Sequence, residues 1–307
     1  MTETLLSKAI RFAEAHADEH GVAMTPVPGL AVVRETMPTA IQYAINRPLV
    51  ALVLQGRKHV AMGASTFDLH PGESLLITAD VPTVSQITEA SLARPYISIV
   101  FEIDAAVVAE LVTEMGAAPF LAGIPIRVDP TESEVADAAL RLLKLVDRPA
   151  TIPILETQLL RELHFWLLSG RHGGAVRALG LPGSHAQRIA RAVNLIRSQL
   201  AAPLRVEELA SAAGMGLSAF HEHFRAITSL TPLQFQKKLR LIEARRLMLS
   251  AGEPISNAAY RVGYESVPQF TREYGRLFGV TPARDRRQQS VLLGPLRTGS
   301  FGAGVFR

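Results

Sequence analysis

The sequence predicts a multidomain α+β protein, with an N-terminal antiparallel β barrel and an all-α C-terminal domain that holds two helix-turn-helix motifs joined by a long helix. Three observations support this prediction. Between residues 29 and 104 the hydrophobic period is two, which is typical of short antiparallel strands. After residue 131 the period returns to 3.6, which is typical of helices. Between residues 206 and 282 one helical pattern occurs twice.

Each copy of this pattern predicts a short helix that ends at a glycine, a tight turn, and a second helix with aromatic residues at i and i+4. The glycine suits a left-handed helix cap. The first copy contains Val206, Ala210, Gly214, Phe220, Phe224 and Thr231-Pro232, and the second contains Ile255, Ala259, Gly263, Phe270, Tyr274 and Thr281-Pro282. Residues 232–250 between the copies predict a helix about 28 Å long, close to the ~34 Å of one DNA turn.

The amino-acid composition excludes several kinds of site, and the charge distribution indicates where a polyanion could bind. The 307 residues include no cysteine, which excludes disulfides, thiolate metal sites and a cysteine nucleophile. No apolar run is long enough for a membrane span, and the charge-rich N-terminus does not resemble a signal peptide, so a cytoplasmic protein is expected. Residues 184–289 hold 16 of the 32 basic and 8 of the 28 acidic residues, which leaves 16 basic and 20 acidic residues elsewhere. Only the C-terminal part is therefore expected to meet a polyanion.

Three segments carry the repeat: EELASAAGMGLSAFHEHF, TPLQFQKKLRLIEARRLML and ISNAAYRVGYESVPQFTREYGRLFGVTP. In order and spacing they resemble the DNA-binding domain of the AraC/XylS family of bacterial transcription regulators. The resemblance implies a sequence-specific regulator, not an enzyme, that binds double-stranded DNA through two recognition helices in successive major grooves. It also allows a contact with RNA polymerase.

The N-terminal segments GLAVVRETMPT, VALVLQGRKHVAMG, FDLHPGESLLITADVP and TEASLARPYISIVFEID resemble the cupin-like domain of one AraC-type subfamily. The resemblance implies that this barrel senses a small organic effector. Residues expected to point into the barrel are core residues first and ligand contacts second: Val53, Phe67, Leu75, Ile77, Ile97, Ile99 and Phe101. Arg57 and Lys58, near a hairpin, are expected to be solvated.

The domain boundaries expected from these patterns are an N-terminal helix (1–24), the cupin-like sensor (25–120), two linker helices (121–170), a flexible glycine-rich linker (171–183), the DNA-binding domain (184–289) and a tail (290–307). The linker helices either cover the barrel or form a homodimer contact, as helices here commonly do in the family. The single tryptophan, Trp166, would report on either arrangement.

In each copy the second helix is expected to present exposed residues to base edges. In the first copy these are Ser218, His221, Glu222 and Arg225, of which the resemblance places the first three at base-reading positions. In the second copy they are Gln269, Thr271, Arg272 and Arg276. Phosphate contacts are expected from Arg188, Arg191, Lys238 and Arg240, and from the helix N-termini at Thr231 and Thr281. Arg245 and Arg246 could serve DNA binding or structure equally well.

Two residues depart from the family pattern. Many members carry a basic or amide residue at the position of Glu222, and a Ser or Thr helix cap at the position of Gly216. A carboxylate at a DNA surface is useful only where a donor such as cytosine N4 faces it.

Two alternatives remain. One is a ligand-independent DNA-binding protein with a structural barrel. The other is a metal-dependent cupin enzyme fused to a DNA-binding module. The barrel offers only His59 and His70 and lacks the usual cluster of histidines with a carboxylate, so neither a metal nor a cofactor is expected.

Overall fold

The structure, a computed structural model, describes residues 3–63, 65–116, 126–171, 173–181 and 183–293, with side chains as far as residue 288. Contacts group these residues into two compact units that divide between Arg188 and Ile189. Most of the 290–307 tail lies outside the described residues.

The strands all lie in the N-terminal unit: β1 (Val22–Met24), β2 (Leu30–Glu35), β3 (Gln42–Asn46), β4 (Leu49–Gln55), β5 (Arg57–Met62), β6 (Ser65–Leu69), β7 (Glu73–Ile77), β8 (Val81–Glu89), β9 (Tyr96–Glu102) and β10 (Ile126–Pro130). The helices of the same unit are α1 (Leu5–His16), α2 (Ala105–Met115), α3 (Ser133–Lys144), α4 (Ile152–Ser169) and α5 (Gly173–Gly180). The remaining helices are α6 (His185–Ser198), α7 (Val206–Ala213), α8 (Leu217–Thr228), α9 (Pro232–Leu249), α10 (Ile255–Arg261), α11 (Val267–Phe278) and α12 (Pro282–Leu293).

The strands form two antiparallel sheets. The larger has the order β1-β2-β9-β4-β7-β10 and the smaller has the order β3-β8-β5-β6. The antiparallel, cupin-like architecture is confirmed, although the barrel is not closed, because no ladder joins the two sheets within the described residues. The chain leaves one sheet for the other at Gly56, whose φ is 78° and whose Cβ would lie 2.5 Å from the Glu89 carbonyl oxygen. Only glycine fits this turn.

The larger sheet is buried on both faces. One face carries Ile97, Ile99 and Phe101 of β9 into the main hydrophobic core, where they meet residues of α1 to α5 such as Phe12 and Leu142. The other face carries Tyr96 and Ser98 of the same strand, which are also buried. Since the helices cover the first face, the second faces the smaller sheet, and the N-terminal unit is a β sandwich.

The predicted flexible linker at 171–183 is wrong, because α5 occupies most of it. Its Val176 and Leu179 belong to the main core. The close contact of α5 with α2 requires glycine, since a Cβ on Gly180 would lie 2.5 Å from the backbone nitrogen of Ala109. The predicted linker helices are present as α3 and α4, and they pack within this unit.

The C-terminal unit is all-helical, as expected. The long helix α9 contacts α8, α10, α11 and α12, and therefore joins the two helix-turn-helix motifs. Thr231 begins it with a capping box, in which Thr231 and Gln234 each bond the backbone N–H of the other.

Candidate nucleic-acid interface

The first helix-turn-helix consists of α7 and α8. Gly214 ends α7 in a left-handed conformation with φ of 63°. Phe220 and Phe224 are fully buried, and the ring of Phe224 meets that of Phe235 on α9 edge-on at 5.6 Å. These contacts hold one face of α8 against the unit and leave the other face exposed. The exposed residues include Ser218, His221, Glu222 and Arg225.

The second helix-turn-helix consists of α10 and α11 and repeats this geometry. Phe270 and Tyr274 are fully buried, and Tyr264 meets Phe270 edge-on at 5.3 Å. Ser266 stands at the N-cap of α11, but its side chain makes no cap hydrogen bond. The exposed face carries Gln269, Arg272 and Arg276, whereas Thr271 is half-buried.

The charged groups on the two exposed faces are not engaged elsewhere in the described structure. Within the described residues, no hydrogen bond or ion pair engages the guanidinium groups of Arg225, Arg272 and Arg276 or the carboxylate of Glu222. The two faces therefore present three cations and one anion to solvent. Such groups can contact phosphates and base edges without first breaking a contact within the protein.

Arg240 has a structural role that the sequence did not reveal. Four of its N–H groups donate to the carbonyl oxygens of Leu200, Ala201, Ala202 and Gly263, at 2.8 to 3.0 Å. The predicted phosphate contact of Arg240 is therefore wrong, because its donors already serve the chain after α6 and the turn after α10.

The other residues expected to contact phosphate differ in their burial and in their partners within the protein. Arg191 donates to the carbonyl oxygens of Ala212 and Ala213 at the end of α7. Burial lowers the pKa of Lys238, whose amine bonds no described group. Arg188 has interactions of its own, and its Nε is buried. Thr281 Oγ1 lies 3.4 Å from the Arg284 backbone nitrogen at the start of α12.

Arg245 and Arg246 are both half-buried, and each is paired with a carboxylate of the protein. Arg245 bonds both oxygens of the buried Asp285 carboxylate, at 2.7 and 3.2 Å. Tyr274 donates to the same carboxylate, which ties α9, α11 and α12 together. Arg246 forms a paired contact with Glu243 at 2.7 and 2.9 Å.

The seven residues predicted to line one sensor interior lie in two different places. Val53, Leu75 and Ile77 are buried outside the main helical core, and Phe67 is half-buried in β6. The prediction is wrong for Ile97, Ile99 and Phe101, which face the helices. A one-residue shift in the assumed pleat of β9 accounts for the error, because successive side chains of a strand point to opposite faces.

Lys58 is not solvated as predicted, whereas Arg57 is exposed and pairs with Glu89 at 2.9 Å. Strand pairing places Lys58 beside Leu69 and Ile87, two buried residues, so its side chain points between the sheets. Burial lowers the pKa of Lys58, and the charge of Glu35 on the opposite sheet partly offsets this. Nearby, burial raises the pKa of Tyr96 to about 12.

A small cavity of about 50 Å³ lies between the larger sheet and α3 and α4, with Val50, Leu76 and Trp166 in its wall. In the described parts of the chain no three His, Asp or Glu side chains converge as metal ligands would. None of the helices described is both long and apolar enough to cross a membrane.

Comparison with known proteins finds a family model for each unit. A model of the AraC-type transcriptional regulator N-terminus matches residues 26–175, and a helix-turn-helix domain model matches residues 209–288. The regulator ArgR of Pseudomonas aeruginosa is 29% identical over 107 residues, which are 35% of this chain and 32% of ArgR. ExsA of the same species is 35% identical over 74 residues, which are 24% of this chain and 27% of ExsA. The chain thus spans between about a quarter and a third of the length of these curated relatives.

Among solved structures, ToxT from Vibrio cholerae with a bound unsaturated fatty acid matches with a TM-score of 0.56 at 12% identity. The match covers 84% of this chain and 93% of ToxT. At that identity the likeness establishes the two-domain fold alone.

Proposed function

The chain belongs to the AraC-type transcriptional regulators, and on that premise we propose that it binds specific double-stranded DNA sequences and regulates transcription. The observation that carries the proposal is the pair of exposed helix faces, on α8 and α11, whose arginines are free of partners in the described structure. Ser218, His221, Glu222 and Arg225 face one major groove, and Gln269, Arg272 and Arg276 face the next.

Phosphates are held by Lys238, Arg188 and the N-termini of α9 and α12 at Thr231 and Thr281. Arg240 has no part in this. Thr271 is half-buried on α11, and we assign it to contact with the DNA backbone.

Arginine substitutions test the proposal. Arg272→Ala is expected to weaken specific binding by about 1–3 kcal/mol if Arg272 reads a base. Arg261→Ala is the matched control, since Arg261 is an exposed arginine of the same unit that is already paired with Glu253. Fluorescence anisotropy measures the affinity of both variants for a duplex that the wild-type protein selects from a random library. Equal losses for the two variants would contradict base reading by Arg272.

The salt dependence of affinity gives an independent test. A phosphate-driven complex loses affinity with a logarithmic slope of roughly −0.9 per contacted phosphate. A slope near zero for the wild-type protein would exclude the proposed mode of binding.

We further propose that a small organic effector binds between the two sheets and shifts the equilibrium between arrangements that bind DNA differently. Two observations support it: the ToxT structure of the same fold was solved with a fatty acid bound, and Lys58 offers an amine between the sheets without a hydrogen-bonding partner in the described structure. A thermal-shift screen of organic acids and neutral metabolites, repeated on Lys58→Met, tests this. A ligand that stabilises both proteins equally would remove Lys58 from the site.

The protein is also proposed to form a homodimer through α4. Ile154 and Leu155 are exposed on this helix by 68% and 43%, although the opposite side of α4 packs in the core. Light scattering should give a dimer for the wild-type protein and a monomer for the double variant Ile154→Glu with Leu155→Glu. Glu156→Gln, on the same helix, is the control. A contact with RNA polymerase and a cytoplasmic location belong to the same proposal.

A further inference from the structure

Glu273 on α11 is the centre of a hydrogen-bonded cluster beside the proposed DNA-reading face. Its Oε1 accepts from Lys237 Nζ at 3.0 Å and from Gln269 Nε2 at 3.3 Å, and its Oε2 accepts from Tyr264 Oη at 2.8 Å. Its side chain is only 17% exposed. Burial acts to raise the pKa of Glu273, but these three donors outweigh it, and the pKa is lowered. The carboxylate is therefore ionised at neutral pH.

An ionised carboxylate can only accept hydrogen bonds, and this decides the orientation of the Gln269 amide. Gln269 lies one helical turn before Glu273, so the two side chains are neighbours on α11. If the amide were turned over, its carbonyl oxygen would face the carboxylate oxygen, and the two acceptors would repel each other. Gln269 must therefore turn its NH₂ group toward Glu273.

This orientation leaves a defined edge of Gln269 for DNA. One N–H is used by Glu273, and the carbonyl oxygen together with the second N–H remains free on an exposed side chain. An acceptor next to a donor matches the N6 amine and N7 of adenine in the major groove. Guanine presents two acceptors there, one of which would meet the glutamine oxygen.

We propose that Gln269 specifies adenine within the recognised DNA sequence, and that Glu273 is the positioning residue that fixes the orientation of its amide. The inference rests on the proposed function, since it requires that α11 enter the major groove. Glu273 thereby influences base specificity through Gln269, without contacting DNA itself.

The first recognition helix lacks this arrangement. Alignment of the repeat on Phe220 and Phe270 places Ala219 opposite Gln269, and His223 opposite Glu273. An alanine side chain offers no hydrogen bond to a base, so the adenine preference is expected only in the half of the site that α11 reads.

The experiment is a selection of binding sites from a random duplex library with the full chain, followed by anisotropy titrations on duplexes that carry each base at every selected position. Wild-type protein is expected to prefer adenine at one position by roughly 10-fold or more, the range of a bidentate contact. Gln269→Ala identifies that position, because it should lose the preference there and keep the others.

Glu273→Gln tests the positioning role. A neutral amide at residue 273 can donate or accept, so both orientations of Gln269 become possible, and the preference for adenine should fall to about 3-fold or less. The double variant Gln269→Glu with Glu273→Gln should prefer cytosine, because a carboxylate at position 269 can only accept and cytosine N4 donates.

Lys237→Met is the matched control. It removes one donor from Glu273 but leaves the carboxylate facing Gln269, so the preference for adenine should remain. If Glu273→Gln fails to fold, Glu273→Asp takes its place, because it keeps the charge but withdraws the carboxylate from the Gln269 amide, so the preference for adenine should fall in the same way.

An unchanged adenine preference in Glu273→Gln, or a uniform loss of affinity on every duplex, would show that Glu273 is merely structural. Failure of the wild-type protein to bind any duplex would refute the proposed function itself. Strong binding without an adenine preference would overturn only the present inference.

Discussion

The backbone N–H of Asp104 donates to Nε2 of His164 across 2.9 Å, and Nδ1 of the same ring lies 2.7 Å from the Leu160 carbonyl oxygen. The ring must therefore be neutral with its proton on Nδ1, because Nε2 accepts. Burial lowers the pKa of His164. Since the side chain of Asp104 caps α2, His164 ties α4 to the start of that helix.

This histidine predicts a pH dependence of stability. Because the pKa of His164 is lower in the folded than in the unfolded protein, its contribution is complete above about pH 6.5 and is lost progressively as the pH falls below that value. Urea unfolding, followed by the fluorescence of Trp166 on the same helix, measures the free energy of unfolding as the pH is lowered from neutral. His164→Gln should show a flatter profile. Identical profiles for both proteins would contradict the assignment.

The two turn glycines are expected to differ in their tolerance to alanine. Gly214 has φ of 63°, and a Cβ there would find its nearest neighbour at 3.8 Å. Gly214→Ala should therefore cost only the left-handed strain of about 1–2 kcal/mol. A Cβ on Gly263 would lie 2.2 Å from the Ala201 carbonyl oxygen. Gly263→Ala should destabilise the protein by more than Gly214→Ala, as measured by chemical unfolding. The reverse order would be inconsistent with the structure.

Ser229 offers a stabilising substitution. It is the one non-glycine residue with positive φ in the described structure, at 62°, and it ends α8. Gly279 ends α11 in the same conformation. Ser229→Gly should raise the free energy of unfolding by about 0.5–1 kcal/mol, because glycine adopts this conformation without strain. Gly279→Ser should lower it by a similar amount, and a melting-temperature shift of the same sign in both variants would argue against this explanation.

Glu222 is expected to weaken general DNA binding while it improves selectivity. Its exposed carboxylate repels phosphates, so Glu222→Gln should strengthen binding to a duplex of random sequence by about 0.5–1 kcal/mol at low salt. Discrimination between selected and random duplexes should fall at the same time. Glu208→Gln is the control, because Glu208 is exposed on α7 and paired with Arg205. Equal gains in both variants would mean that only net charge matters.

The sequence indicated the strands between residues 29 and 104 but not the first and last strands of the larger sheet. Strands with two neighbours, such as β4 and β9, carry long apolar runs that mark them clearly. The strands outside that region, β1 and β10, both lie at sheet edges, where a strand has one partner and needs less apolar surface. Similarly, the glycines at 173 and 180 indicated a loop, whereas Gly180 permits close packing of α5 on α2.

The recognition faces could be predicted because the buried aromatics fix which side of each helix is exposed. The partners of individual side chains could not be predicted, since they depend on three-dimensional neighbours. Arg240 and Arg272 are both basic residues of the same unit, yet only the first meets a cluster of carbonyl oxygens. Lys58 was likewise expected to be solvated. The strand register, which pairs it with the buried Ile87, places its side chain between the sheets instead.

The four carbonyl oxygens that Arg240 collects come from the segment before the first helix-turn-helix and from the turn of the second. If either motif opened alone, some N–H groups of the Arg240 guanidinium would lose their carbonyl acceptors. An unsatisfied charged donor in a half-buried position destabilises the protein. The two motifs should consequently open together, as a single cooperative unit in native-state hydrogen exchange. Amide protons in α8 and α11 would then exchange with one common opening free energy. A substitution that destabilises one of these two helices would also lower the protection of the other, even without DNA.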